Sequence, residues 1–411
     1  MRDEGRSVTE PISVLRLAPH FFRAGDWPVA YDPVGGMQNQ VWQLAKALDE
    51  AGISQTIATT YIPGSPRSVS LFRAATVRGV GFYLPEFLAP HLLNLTWFLA
   101  LIPFLFRHLS THHVVHIHLN HSIWCRVLAF VVKLLRKPLV ISLNVSLVAD
   151  GETPQGNVGR MPFAEWLETR ALGVADGIVA LTRRQFDTVS GLMPRKTAQI
   201  RIIPDTIDPT SFVQAVESAA VEDFRKRYGI PGGARVVSYI GRISEEKGWR
   251  DLPIFVDRLA RNGVFVLICG DGPRRKRLEQ ALRRSAEDGK WRVTGFIPRS
   301  DVKMALSVSE LVMLPSRREA FGSILLEAMA YGVPAVAYRV GGIADVAGDL
   351  NAVALVPPRD TDAFVAMMME LLSSRDRSRA LAKRGEERVR AFSPQAARDA
   401  FVHLYRGLAW G

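Results

Sequence analysis

Two glutamates, Glu319 and Glu327, stand eight positions apart in the run SRREAFGSILLEAMAYG (316–332). The run leaves an apolar strand at Pro315, crosses a short polar loop and enters a helix near Gly322. Glu319 then falls in the loop and Glu327 about one and a half turns inside the helix, beside Ile324, Leu325, Ala328 and Met329 on the core face. Buried charges need partners. Carboxylates so placed either perform acid–base chemistry, as in glycoside hydrolysis, or accept hydrogen bonds from the hydroxyls of a bound sugar or ribose. Between them the N–H groups of Phe321, Gly322 and Ser323 are the unpaired donors of a helix start.

A second group is cationic. In SYIGRISEEKGWRDL (238–252) a strand ends at Gly241, and Arg242 and Lys247 flank the loop that follows. A planar guanidinium fork and a point charge suit a diphosphate, against the plainer reading of a solvated loop. In VGGMQNQ (34–40) a glycine pair opens a helix, where the backbone around Gly36 can approach an anion; a mere turn fits equally well. VVHIHLNH (114–121) carries His116 and His118 on one side of a strand, and His118 stands at the strand's end, where it faces a cleft. No third ligand, HExxH run or cysteine cluster accompanies them, so no metal site is expected. CGDGPRRKRLE (269–279) reads as a glycine turn with Asp271 and Pro273, and RDTD (359–362) as a helix N-cap.

These groups need a scaffold of strand ends. Short β-branched runs at 13–19, 54–61, 113–119, 138–145, 177–182 and 200–205 alternate with helical segments. One of these, Met37 to Gly52, has Val41, Leu44, Ala45 and Leu48 on one face. The pattern repeats at 235–241, 264–270, 291–296, 310–316, 334–340 and 351–357. Such alternation predicts α/β architecture with two Rossmann-like sheets in series, whose ligands bind beyond the carboxyl ends of the strands in one shared cleft. The length of 411 residues agrees with two cores. We expect an N-terminal domain over 1–205, a C-terminal domain over 206–385, and a helical tail over 386–411 that packs back toward the first.

Net charge is +12, with 20 Lys and Arg against 15 Asp and Glu in residues 1–205 and 32 against 25 in the rest. That even spread argues against a nucleic-acid-binding arm. Cys125 and Cys269 both lie in apolar runs and suggest neither disulfides nor a metal site. The first residues lack a signal-peptide core, so a cytoplasmic location is expected. The oiliest window, Leu92 to Phe106, contains Asn94 and Pro103 and is shorter than the roughly 20 residues of a bilayer span. A buried or groove-lining helix is favoured there over membrane contact.

Taken together, GGM after the first strand, HIH on a later one, GRISEEKG, GDGPRRKRLE, TGFIP, PSRREAFGSILLEAMAYGVP and the VGG at 340–342 resemble the retaining GT-B glycosyltransferases of family 4. That family includes sucrose-phosphate synthase and phosphatidylinositol mannosyltransferase, and the resemblance spans nearly the whole chain. It implies a GT-B fold with a nucleotide-sugar donor on the C-terminal domain and an acceptor on the N-terminal one, and it implies no metal and no cofactor beyond the nucleotide sugar. Arg242 and Lys247 are implied to hold the diphosphate, taking the place of a divalent cation, with Gly36 approaching it from the other domain. The same resemblance assigns Glu327 to ribose, Glu319, Phe321 and Gly322 to the donor sugar and phosphate, Phe296 and Ile297 to the base, and His118 to the donor sugar near the reacting carbon.

A narrower resemblance, in LRLAPHFF, WPVAYDPVGGMQNQ, PDTID and EKGWRD, is to aminoglycoside-antibiotic glycosyltransferases acting on 2-deoxystreptamine or a pseudodisaccharide built on it. At the domain junction Asp205 stands where many relatives have Asn. A cationic aminocyclitol acceptor calls for carboxylates, and Asp26, Asp32, Asp150 and Glu152 are the candidates. Two other readings stay open: a membrane-surface transferase of lipid-linked or cell-wall glycans, suggested by the basic charge and the apolar runs, and a non-catalytic nucleotide-sugar binder.

Overall fold

The computed structural model describes residues 12–19, 21, 36–61, 66–82, 89–119, 123–149, 162–193, 198–213, 217–285 and 289–410. Asp26, Asp32, Asp150 and Glu152 lie outside them.

The first sheet contains β1 (Ser13–Leu17), β2 (Ser54–Thr60), β3 (Ser68–Ser70), β4 (Ala75–Val80), β5 (Val114–His118), β6 (Leu139–Ser142), β7 (Gly177–Ala180) and β8 (Gln199–Ile202). Their order is β3-β4-β2-β1-β5-β6-β7-β8, and every pair but β3 with β4 is parallel. The second sheet contains β9 (Val236–Ile240), β10 (Phe265–Cys269), β11 (Trp291–Gly295), β12 (Leu311–Leu314), β13 (Ala335–Tyr338) and β14 (Ala354–Val356). It is wholly parallel, in the order β11-β10-β9-β12-β13-β14. Strands buried on both faces read as near-continuous apolar runs, and VVSYI of β9 and FVLIC of β10 are buried at every position. The order reverses between β1 and β5 in one sheet and between β9 and β12 in the other, which is where such sheets open a crevice. This is the GT-B architecture.

Each of the twelve expected runs contains a strand. The unexpected pair, β3 and β4, forms the outer edge: SVS is exposed at all three positions, and ATVRGV lacks the apolar density that marks an inner strand. The helix Gly36–Glu50 buries Val41, Leu44, Ala45 and Leu48 as its periodicity predicts.

The chain passes between the sheets twice. It leaves β8 through Ile203 to Asp208, and there Ile207 N–H donates to the carbonyl of Phe392 at 3.1 Å. Leu381, Val389 and Phe392 pack in the core of the second sheet. The last helix, Pro394–Ala409, instead buries Ala397, Phe401, Leu404 and Tyr405 among Ile12, Val14, Leu44, Leu48 and Val114 of the first. Among the described residues no helix is long and apolar enough to cross a membrane. The helix Ala89–His108, which holds the oily window, buries Trp97, Leu101 and Leu105 and leaves Leu99 and Phe106 exposed.

Candidate functional site

Because β9 and β12 are neighbours, the loops that follow them emerge side by side. The carbonyl of Glu246 accepts from the N–H groups of Arg317 (2.8 Å) and Arg318 (3.1 Å), and the Arg317 guanidinium donates to Asp251 at 3.0 Å. Across this seam Lys247 Nζ stands 2.5 Å from Glu319 Oε2, which also accepts from Ser316 Oγ at 3.0 Å.

Two glycines make the close approach possible. Gly248, at φ +75°, would put a Cβ 1.8 Å from the carbonyl oxygen of Pro315. Gly341, at φ +50°, would put one equally close to the carbonyl oxygen of Glu319. Only glycine tolerates both the backbone angle and the contact, so the loop bearing Glu319 is clamped from two sides.

Arg242 is exposed at the mouth of the β9 loop, and its carbonyl accepts from the buried Tyr239 hydroxyl at 2.6 Å. Glu246 is held below the usual carboxylate range. Burial pushes it up, but the Ser244 hydroxyl, a backbone N–H and the charges of Arg242 and Lys247 outweigh that.

The helix Ser323–Ala330 begins at Gly322 and buries Leu325, Leu326, Glu327, Ala328 and Met329, with Ile324 only partly covered. Phe321, beneath it, packs edge-on against Phe392. Burial raises the Glu327 carboxyl, and Arg299, whose Nη1 is 3.0 Å from Oε1, opposes the rise. Arg299 opens a helix two residues after Ile297, so half-buried Phe296, buried Ile297 and Glu327 belong to one end of the cleft.

The other wall begins at Gly36. A Cβ there would lie 3.3 Å from Ser323 Oγ, so the starts of the two helices abut. Ser323 Oγ in turn donates to Asp205 Oδ2 at 2.5 Å. Asp205 is 6% exposed, and its Oδ1 is buried without a hydrogen-bond partner. Burial, and secondarily Glu319, push this carboxyl up to about 7 against the Ser323 bond.

His118 does not meet these groups. It is 1% exposed, and its Nε2 accepts from Arg16 Nε (3.2 Å) while its Nδ1 is 3.2 Å from Asn144 Oδ1. Arg16 also donates to Gln55 at 3.0 Å, and the Asn144 amide donates to Gln40, one turn into the helix that Gly36 starts. A neutral ring accepting at Nε2 carries its proton on Nδ1. Burial first and the Arg16 charge second hold His118 well below its ordinary value. His116, its neighbour at 4.1 Å, is paired with Tyr405 and Ser142 and serves the packing of the last helix.

Two members of the site, Arg299 and Asn144, lie in none of the motifs above, and two others, Arg16 and Gln40, lie within LRLAPHFF and VGGMQNQ without standing out there as site residues. Arg16 alone leaves a sequence signal, a charge in the middle of an apolar strand. Among the described residues no group of three or more His, Cys, Asp or Glu could hold a metal ion.

The chain as a whole has relatives. Residues 34–211 match the family described as Glycosyltransferase Family 4, and residues 220–388 match Glycosyl transferases group 1. The 2-deoxystreptamine N-acetyl-D-glucosaminyltransferase of Streptomyces fradiae is 30% identical over 89% of this chain and 90% of its own length. Among solved structures, sucrose-phosphate synthase from Thermosynechococcus elongatus superimposes with a TM-score of 0.80 at 22% identity, covering 97% of this chain and 99% of its own. Anabaena HepE in complex with UDP-glucose superimposes with a TM-score of 0.73 at 15% identity, covering 96% and 100%. The chain therefore belongs to glycosyltransferase family 4, the retaining GT-B enzymes that transfer a sugar from a nucleotide donor.

Proposed function

We propose that this enzyme moves a hexose or aminohexose from a UDP-sugar to 2-deoxystreptamine or a pseudodisaccharide derived from it, in aminoglycoside antibiotic synthesis. Similarity to a 2-deoxystreptamine transferase over nine-tenths of both chains carries the acceptor reading. The UDP complex of a protein of like fold supports the base.

In this reading Arg242 and Lys247 hold the diphosphate. Gly36 and the backbone at Phe321 and Gly322 close around it, Glu327 binds ribose hydroxyls and Phe296 with Ile297 flanks the base. Glu319 holds the hydroxyls of the sugar being moved. His118, with its proton on Nδ1, turns that N–H from Asn144 to the sugar. Cationic charge at the leaving phosphate stabilises the transition state, and the acceptor attacks from the face the nucleotide leaves, so no protein nucleophile is needed. Closure of the two walls keeps water from competing.

Asp26, Asp32, Asp150 and Glu152 are proposed to meet the acceptor's ammonium groups. A thermal-shift panel of nucleotide sugars, with and without 2-deoxystreptamine and paromamine, tests the whole: a ligand of the native state raises its stability. No shift with any aminocyclitol, together with an unchanged acceptor KM in Asp32→Asn and Glu152→Gln, counts against this acceptor.

A second reading has its own observation. Phe106, Leu134, Phe163 and Trp166 are exposed on helices of the first domain, as in a transferase of lipid-linked glycans working at a membrane surface. Flotation with anionic vesicles separates the two.

A further inference from the structure

Asp205 has an oxygen with nothing to do. Its Oδ1 is the one carboxylate oxygen among the described residues that is buried without a partner, where the large majority of buried polar side-chain atoms have one. The position is the crossing between the domains, where Ser323 on one helix start and Gly36 on the other converge.

The charges around it are few. The crossing segment itself carries only Asp208, which is turned outward to cap the helix Pro209–Phe212. From the loop after β12 comes Glu319, already held by Lys247. From the helix Ser323–Ala330 comes Glu327, already held by Arg299, and the start of the Gly36 helix is uncharged. No described cation pairs with Asp205.

An ionised carboxylate here would therefore repel a diphosphate, whereas a protonated one can donate to it. A nearby anion favours the neutral form of an acid, and a carboxylic acid kept neutral by its surroundings is a competent hydrogen-bond donor. We propose that Asp205 takes up a proton from solvent when the donor's diphosphate enters the cleft and then donates a hydrogen bond to it through Oδ1. This rests on the donor-site reading above. Asp205 thereby couples donor binding to pH.

The experiment is calorimetry of UDP-glucose and UDP-N-acetylglucosamine, whose phosphates are both esterified and do not titrate near neutrality. Titrations are run in buffers of differing ionisation enthalpy from about pH 6 to about pH 8.5. Binding should take up a proton on the alkaline side, and affinity should fall up to about tenfold per pH unit above about pH 7. Asp205→Asn keeps a permanent N–H donor, so it should bind without proton uptake and with a flat pH profile. Ser323→Ala removes a bond that favours the ionised form, so the fall in affinity should move to higher pH. Buffer-independent heats in the wild type, or uptake that persists in Asp205→Asn, overturn the proposal while leaving the donor site standing. Absence of nucleotide-sugar binding at every pH overturns the donor site and this proposal with it.

Discussion

Lys247 Nζ and Glu319 Oε2 lie 2.5 Å apart, so the cation proposed for the diphosphate and the carboxylate proposed for the sugar neutralise one another. A donor must come between them: its phosphate takes the ammonium, and its hydroxyls take the carboxylate. Removing Glu319 then has opposite effects on two measurements. Glu319→Ala frees Lys247 from a part-buried ion pair, so UDP alone should bind at least as tightly as before. Turnover should drop about 10- to 100-fold for the loss of charge-assisted bonds to the sugar. Isothermal titration with UDP alongside steady-state kinetics decides; equal losses in both contradict the assignment.

Glu327 presents the reverse case. It is buried a turn inside the helix and balanced by Arg299 at 3.0 Å, on the side of Phe296 and Ile297. Glu327→Ala should weaken UDP binding about 10- to 100-fold, the worth of one charged hydrogen bond, and weaken UDP-sugar binding equally. A variant that binds UDP normally but turns over slowly would exchange the roles of the two glutamates.

Legibility in the sequence divided along physical lines. The inner strands and the clamped loops were readable because burial on both faces demands continuous apolar runs, and because Gly248 and Gly341 must be glycine where backbone meets backbone. Strands β3 and β4 were not, since SVS is exposed throughout and ATVRGV lacks a continuous apolar run. The pairings at the site were hidden for a different reason. Arg299 lies 28 positions from Glu327 and Arg16 lies 102 from His118, and nothing local in a chain records which distant charge will meet another. Asp205 was visible as a departure from Asn, but its unpaired oxygen exists only once the two helix starts come together.

That oxygen has a consequence for the protein without ligand. The Asp205 carboxyl is pushed up to about 7 from 3.8, so the folded state holds its proton over a range where the unfolded chain has lost it. The stabilisation is full below about pH 4 and is lost as pH rises toward about 7, amounting to roughly 4 kcal/mol for a shift of about three units. Asp205→Asn escapes this loss. Relative to the wild type its stability should climb by several kcal/mol between about pH 4 and about pH 8, read from urea midpoints at each pH. A difference that does not change with pH removes the buried proton from the account.

His118 has the opposite sign. Burial and Arg16 hold it neutral well below its ordinary value, and burial with His118 does the same to His116. Above about pH 6.5 neither ring costs anything; below it the unfolded chain gains protons that the native rings refuse, and each ring lowers stability by about 1.4 kcal/mol per pH unit. His118→Gln, which retains an acceptor for Arg16 and a donor for Asn144, should start less stable than the wild type at neutral pH. Its deficit should then narrow by about 1.4 kcal/mol for each pH unit below about 6.5. If the ring also meets the sugar, turnover of the variant should fall about 10- to 100-fold with UDP affinity unchanged. Urea titrations along the acid limb test the buried neutral ring and kinetics test the contact. A variant whose deficit narrows while turnover stays intact would leave His118 as a structural partner of Arg16, and would move the contact with the sugar to the Asn144 and Gln40 side of the network.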